Sequence, residues 1–132
     1  MDEYNVVATS CKGKDEHQGM MKSIADSLEV EGVASIRFDF NGHGESDGKF
    51  SEMTVLNEIE DALCIYKYAS SLPYVSKISI AGHSQGGVVA SMVAGQLGAE
   101  KIERVVLLAP AAILREDALR GNTMGKQYDP VN

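Results

Sequence analysis

Lys77-Ile78-Ser79-Ile80-Ala81-Gly82-His83-Ser84-Gln85-Gly86-Gly87-Val88-Val89-Ala90 is the stretch on which the reading turns. Lys77 to Ala81 alternates polar with apolar residues and predicts a strand. Gly86 to Leu97 carries apolar residues at helical spacing and is closed by Gly98, a helix stop. Between the two, Gly82-His83-Ser84-Gln85-Gly86 fits G-x-S-x-G in the strand, sharp turn, helix context that gives this pattern meaning. A serine on so tight a corner needs a strained backbone, and side chains two positions away would collide with it. Gly82 and Gly86 meet that demand. The corner lifts the Ser84 hydroxyl above the sheet. The helix start behind it offers N–H groups and a positive dipole end. Ser84 is therefore the candidate nucleophile, and the N–H of Gln85 the candidate donor to an oxyanion formed on an attacked acyl carbon.

Working outward, the same two periods alternate along the chain. Tyr4 to Thr9 predicts a strand. Met21, Ile24, Ala25 and Leu28 follow the i, i+3, i+4, i+7 rule and predict a helix over about 18–30, stopped at Gly32. Val33 to Phe40 predicts a strand with Ala34, Ile36, Phe38 and Phe40 on one face, and Asn41 to Gly48 a loop. Thr54 can cap a helix whose inner stripe is Val55, Ile59, Ala62, Leu63 and Tyr66, with Pro73 beyond its end. Arg104 to Leu108 predicts another strand. Past Pro110 the pattern weakens: Ala111 to Leu119 suits a helix, and Gly121 to Asn132 reads as irregular. The order is β-α-β-α-β-α-β. Right-handed crossovers then give an α/β fold, an open mostly parallel sheet with helices on both faces. Ligands in such sheets bind beyond the carboxyl ends of the strands, where Ser84 lies.

A length of 132 residues is one domain's worth, and 44% apolar with 23% charged residues excludes a disordered or collagen-like chain. The net charge of −7 argues against nucleic acid or an anionic membrane surface as partner. No apolar run approaches a membrane span, and Met1-Asp2-Glu3-Tyr4 does not open a signal peptide, so the cytoplasm is the expected location. Cys11 and Cys64 are too few for a disulfide framework or a zinc site and read as small buried or half-buried hydrophobes. The six methionines read as core filler. His17 reads as solvent-facing and His43 as a structural loop residue. His83, inside the corner, should point away from Ser84. Asp39, Glu45 and Asp47 have no metal-ligand spacing and read as loop caps and surface charge, so neither metal nor cofactor is expected. A dinucleotide fingerprint fits poorly: Ser84 stands where its middle glycine belongs, and Gly42 to Gly48 runs into no helix directly.

Three stretches together carry a resemblance. Gly82 to Gly87 resembles the nucleophile elbow of α/β-hydrolases. Phe38-Asp39-Phe40-Asn41-Gly42-His43-Gly44-Glu45-Ser46-Asp47-Gly48 resembles the D-x-x-G-H-G-x-S-x-G loop after that fold's fourth strand. Leu107-Leu108-Ala109-Pro110-Ala111-Ala112 resembles the end of its sixth. The combination, over roughly Lys14 to Pro130, is most similar to bacterial cinnamoyl or feruloyl esterases and to monoacylglycerol-lipase-like and serine-aminopeptidase-like hydrolases.

The resemblance implies that the four strands are the third to sixth of the family's eight, in spatial order second, first, third, fourth, with Ser84 at the switch point. Residues 1–132 would then be a partial α/β-hydrolase domain whose cap region starts at about 111. It also implies a serine hydrolase acting on a small-molecule carboxylic ester.

Two departures qualify that. The family's His-Gly-apolar oxyanion segment is replaced by Ala8-Thr9-Ser10-Cys11-Lys12-Gly13, and no histidine follows His83, so the order Ser…Asp/Glu…His is not completed. The expectation is an N-terminal piece of the fold, inert alone, because a serine hydroxyl needs a base. Its last strand would expose an apolar edge and invite self-association. The alternative is a non-catalytic α/β binding or assembly module completed by another chain.

Overall fold

In the computed structural model, residues 4–6, 16–40, 46–52, 54–111, 122–123 and 126–127 are described. Local chemistry sets the helix ends. The first helix, α1 (Glu16–Val30), stops where Gly32 takes φ +78°; Gly32 N–H donates to Glu29 O at 2.9 Å and Val33 N–H to Leu28 O at 2.8 Å. This 6→1 and 5→2 pair closes orphan carbonyls of the last turn. Helix α2 (Val55–Ser71) begins at Thr54, whose Oγ1 accepts the Asn57 N–H at 3.1 Å, and ends one residue before Leu72 and Pro73. Helix α3 (Gln85–Leu97) ends at Gly98, φ +82°, whose N–H donates to Ala94 O at 2.8 Å.

The strands are β1 (Tyr4–Val6), β2 (Ala34–Ile36), β3 (Ile80–His83), β4 (Val105–Leu108), β5 (Asn122–Thr123) and β6 (Lys126–Gln127), with a 3₁₀ turn at Phe50–Glu52. β1 pairs parallel with β2, in register Tyr4 with Ala34, and β3 pairs parallel with β4, Ile80 with Val105 and His83 with Leu108. β1 also lies beside β3, which gives the spatial order β2-β1-β3-β4. That order reverses direction after β2. Right-handed crossovers therefore put α1 on one face and α2 and α3 on the other. Accordingly α1 packs on β2, while α3 packs on β3, on β4 and against α2.

The core lies under α2 and α3: Phe40, Ile59, Ala62, Ala69, Ile78, Ile80, Val89, Ala90, Val93 and Ile102 form one buried cluster. Each larger member contributes about 1.5–3 kcal/mol by leaving water. Phe38 and Phe40 keep to one face past the end of β2 and meet edge to face, ring centres 5.0 Å apart at 83°. Met21 is fully buried outside that cluster, as the α1 stripe requires.

Several expectations shift. β3 starts at Ile80 rather than Lys77, although ladder bonds already run from Glu103 N–H to Ile78 O (2.8 Å) and from Ile80 N–H to Arg104 O (2.9 Å). Cys64 is exposed, because it stands about 140° around α2 from Ile59, off the inner stripe. Met92 is exposed at 49%, on the outer side of α3, so it fills no core. The stretch read as irregular contains the antiparallel pair β5–β6, Asn122 opposite Gln127 and Thr123 opposite Lys126. Val7 to Thr9, most of the Asn41–Gly48 loop and the expected helix after Ala111 lie outside the described residues.

Candidate active site

Ser84 stands between β3 and α3 at φ +54°, ψ −121°, a conformation foreign to a residue with a Cβ. Holding it costs on the order of 1–3 kcal/mol, so the surroundings must enforce it. They do so through the main chain. Ser84 N–H donates to Leu108 O at 3.1 Å, while Ser84 O accepts from Ala111 N–H at 3.0 Å and from Gly87 N–H at 3.0 Å. The exit of β4 thus grips the corner from both sides. To reach it the chain doubles back through Ala109, itself at φ +45°.

Close packing explains the glycines. A Cβ on Gly82 would lie 2.1 Å from Gly86 O and 2.7 Å from Gly87 N. One on Gly87 would lie 2.9 Å from the Pro110 Cβ. The corner closes only because both side chains are absent.

A serine at a helix N-cap ordinarily spends its hydroxyl on the first turn. Ser84 does not: it makes no side-chain capping bond, and it remains half-buried rather than sealed in the core. Gln85 is the first residue of α3, so its N–H lies in the first turn, ahead of the intrahelical hydrogen-bond ladder. His83 closes β3 on the strand face opposite Gly82 and opposes Leu108 in register.

One residue here escapes the sequence reading. Glu58 is 1% exposed, and its Oε2 accepts from Gln85 Nε2 at 2.9 Å. The available signal was an apolar row, Val55, Ala62, Ile65 and Ala69 at helical spacing, with a carboxylate set into it at position 58. The other candidates separate. Asp39 and Asp47 line a depression of about 320 Å³ with Phe38, Ser46, Asp61, Cys64 and Ile65, which Ser84 does not line. Ser46 Oγ donates to Asp39 O at 2.6 Å, a loop-closing bond. Among the described residues no three His, Cys, Asp or Glu side chains converge to hold a metal ion. Nor is any helix there long and apolar enough to cross a membrane. His43, Glu45 and the Ala8–Gly13 segment lie outside the described residues, as does the His17 side chain.

This arrangement of parallel strands and crossover helices is similar to that of solved structures. Est1E from Butyrivibrio proteoclasticus with ferulic acid bound is 33% identical, with TM-score 0.85 over 98% of this chain and 51% of that one. A monoacylglycerol lipase from Paleococcus ferrophilus is 29% identical, with TM-score 0.66 over 81% of this chain and 38% of that one. The fold is that of the α/β hydrolases. The chain belongs to the serine aminopeptidase, S33, family, whose model matches residues 4–127. It spans about half the length of Est1E. No curated protein matches it.

Proposed function

We propose that the protein is a serine hydrolase of the carboxylic-ester class, with Ser84 as nucleophile and the Gln85 N–H as one oxyanion donor. The Ser84 Oγ attacks the ester carbonyl carbon and its proton passes to a base. The oxyanion collapses and expels the alcohol, and water then releases the acid from the acyl-serine. The observation that carries this reading is the φ +54° corner at Ser84, gripped by Leu108 and Ala111 with the hydroxyl left out of the helix cap. Ferulic acid bound to the similar Est1E makes feruloyl esters the first substrates to try. The charge of −7 makes nucleic acid and anionic membranes poor partners, and the two cysteines suit a reducing cytoplasm.

No histidine follows His83 in these residues, so the family order Ser, acid, His is not completed among them, and this reading takes the base and its acid partner from other polypeptide. Removing a triad histidine lowers turnover on the order of 10⁶-fold, about 8 kcal/mol of barrier. The chain by itself is therefore expected to hydrolyse p-nitrophenyl acetate no faster than its Ser84→Ala variant. Joined to the C-terminal half of Est1E, which by family resemblance supplies acid and histidine, it is expected to hydrolyse methyl ferulate, and Ser84→Ala to abolish this. A folded chimera whose turnover survives Ser84→Ala would refute the assignment.

A second reading, a non-catalytic module completed by another chain, is favoured by β4, where Val105, Val106 and Leu107 are 42–48% exposed along a sheet edge. Size-exclusion chromatography separates the two readings: a monomer at every concentration counts against the module.

A further inference from the structure

Glu58 poses a problem that the fold alone does not answer. It lies in the first turn of α2, between Val55 and Ala62 on the row that faces the core, and is 1% exposed. An aliphatic side chain would fill that place more cheaply, since desolvating a carboxylate costs several kcal/mol. The carboxylate is instead joined to Gln85, 27 residues away, through the 2.9 Å bond from Nε2 to Oε2. Two helix N-termini make it tolerable there, that of α2, which carries it, and that of α3, whose first residue it touches. The residue it holds is also the one whose main-chain N–H opens α3 directly after the strained serine.

We propose that Glu58 is the positioning residue of this corner: by anchoring the Gln85 side chain from α2, it fixes the direction of the Gln85 main-chain N–H beside Ser84. Its consequence for catalysis rests on the reading of that N–H as oxyanion donor, but the anchoring itself does not. A donor that must meet an oxyanion gains most when it is oriented before charge develops. The first turn of a helix otherwise frays, because its N–H groups have no intrahelical acceptor.

The experiment is solution NMR of the ¹⁵N-labelled 132-residue chain, with Glu58→Leu, which removes the acceptor, and Glu58→Gln, which keeps a carbonyl oxygen in place. Glu58→Leu is expected to shift the Gln85 main-chain amide resonance and lower its heteronuclear NOE, while amides in the second half of α3 stay put. Glu58→Gln is expected to restore both signals. A residue that merely fills the core would not be rescued at Gln85 by a glutamine. An unmoved Gln85 amide in a folded Glu58→Leu chain, or no restoration by Glu58→Gln, overturns the proposal. Should Glu58→Leu fail to fold, Gln85→Met cuts the same bond from the other side. The NOE at residue 85 must then fall, and an unchanged value overturns the proposal. None of these readings requires turnover, so an inactive Ser84 and a failed anchor give different results.

Discussion

Gly82→Ala tests the corner most directly. The added Cβ would sit 2.1 Å from Gly86 O, 2.4 Å from Gly86 C and 2.7 Å from Gly87 N, all inside the 3.0 Å that real Cβ contacts respect. All three are backbone atoms of the first turn of α3, so no rotamer change relieves the clash. The helix start must move away from β3. That strains or breaks the Gly87 N–H to Ser84 O bond, now 3.0 Å. Overpacking of this kind costs about 1–3 kcal/mol, and the lost hydrogen bond about 1 more. The expected destabilisation is about 2–4 kcal/mol, or a midpoint lowered by roughly 10 °C at this chain length.

Gly95→Ala supplies the control. It lies inside α3 with nothing within 4 Å of an added Cβ. The same substitution there should stabilise by about 0.5–1 kcal/mol, because alanine is the better helix former. Both changes restrict the unfolded chain alike, so their difference reports the native state. Urea denaturation followed by far-UV circular dichroism measures both. A Gly82→Ala chain within 1 kcal/mol of the parent, at unchanged m-value, would mean that the corner is not closed as described.

Three further outcomes are expected. Ser84→Gly should stabilise the chain by about 1 kcal/mol, because glycine relieves the strain at φ +54° while Ser84→Ala retains it; denaturation midpoints should rank Ser84→Gly above the parent and Ser84→Ala level with it. Thr54→Ala should cost about 1 kcal/mol by removing the acceptor of the Asn57 N–H, read by denaturation together with faster amide exchange at Asn57. Val106→Lys, on the exposed edge strand, should abolish any concentration-dependent increase in sedimentation coefficient without lowering the melting temperature, and persistent assembly would show that β4 is not the surface involved.

How much of this was legible beforehand depended on sequence separation. The stops at Gly32 and Gly98, the Thr54 cap and the inward faces of α1 and α2 follow from bonds and spacings within a few residues, which a linear string displays. The glycine–serine corner belongs to the same class, since Gly82, Ser84 and Gly86 are their own neighbours. Cys64 and Met92 are exposed against expectation because residue type alone does not give the angle a side chain takes around its helix. The grip of Leu108 and Ala111 on Ser84 needs β4 in register with β3, and the bond from Gln85 to Glu58 needs α2 packed on α3. Periodicity reports which face is apolar, not which atom lies opposite. A carboxylate at position 58 is compatible with an exposed first turn until packing closes over it. Local chemistry therefore determined the corner and its serine, and tertiary packing alone decided what holds that corner rigid.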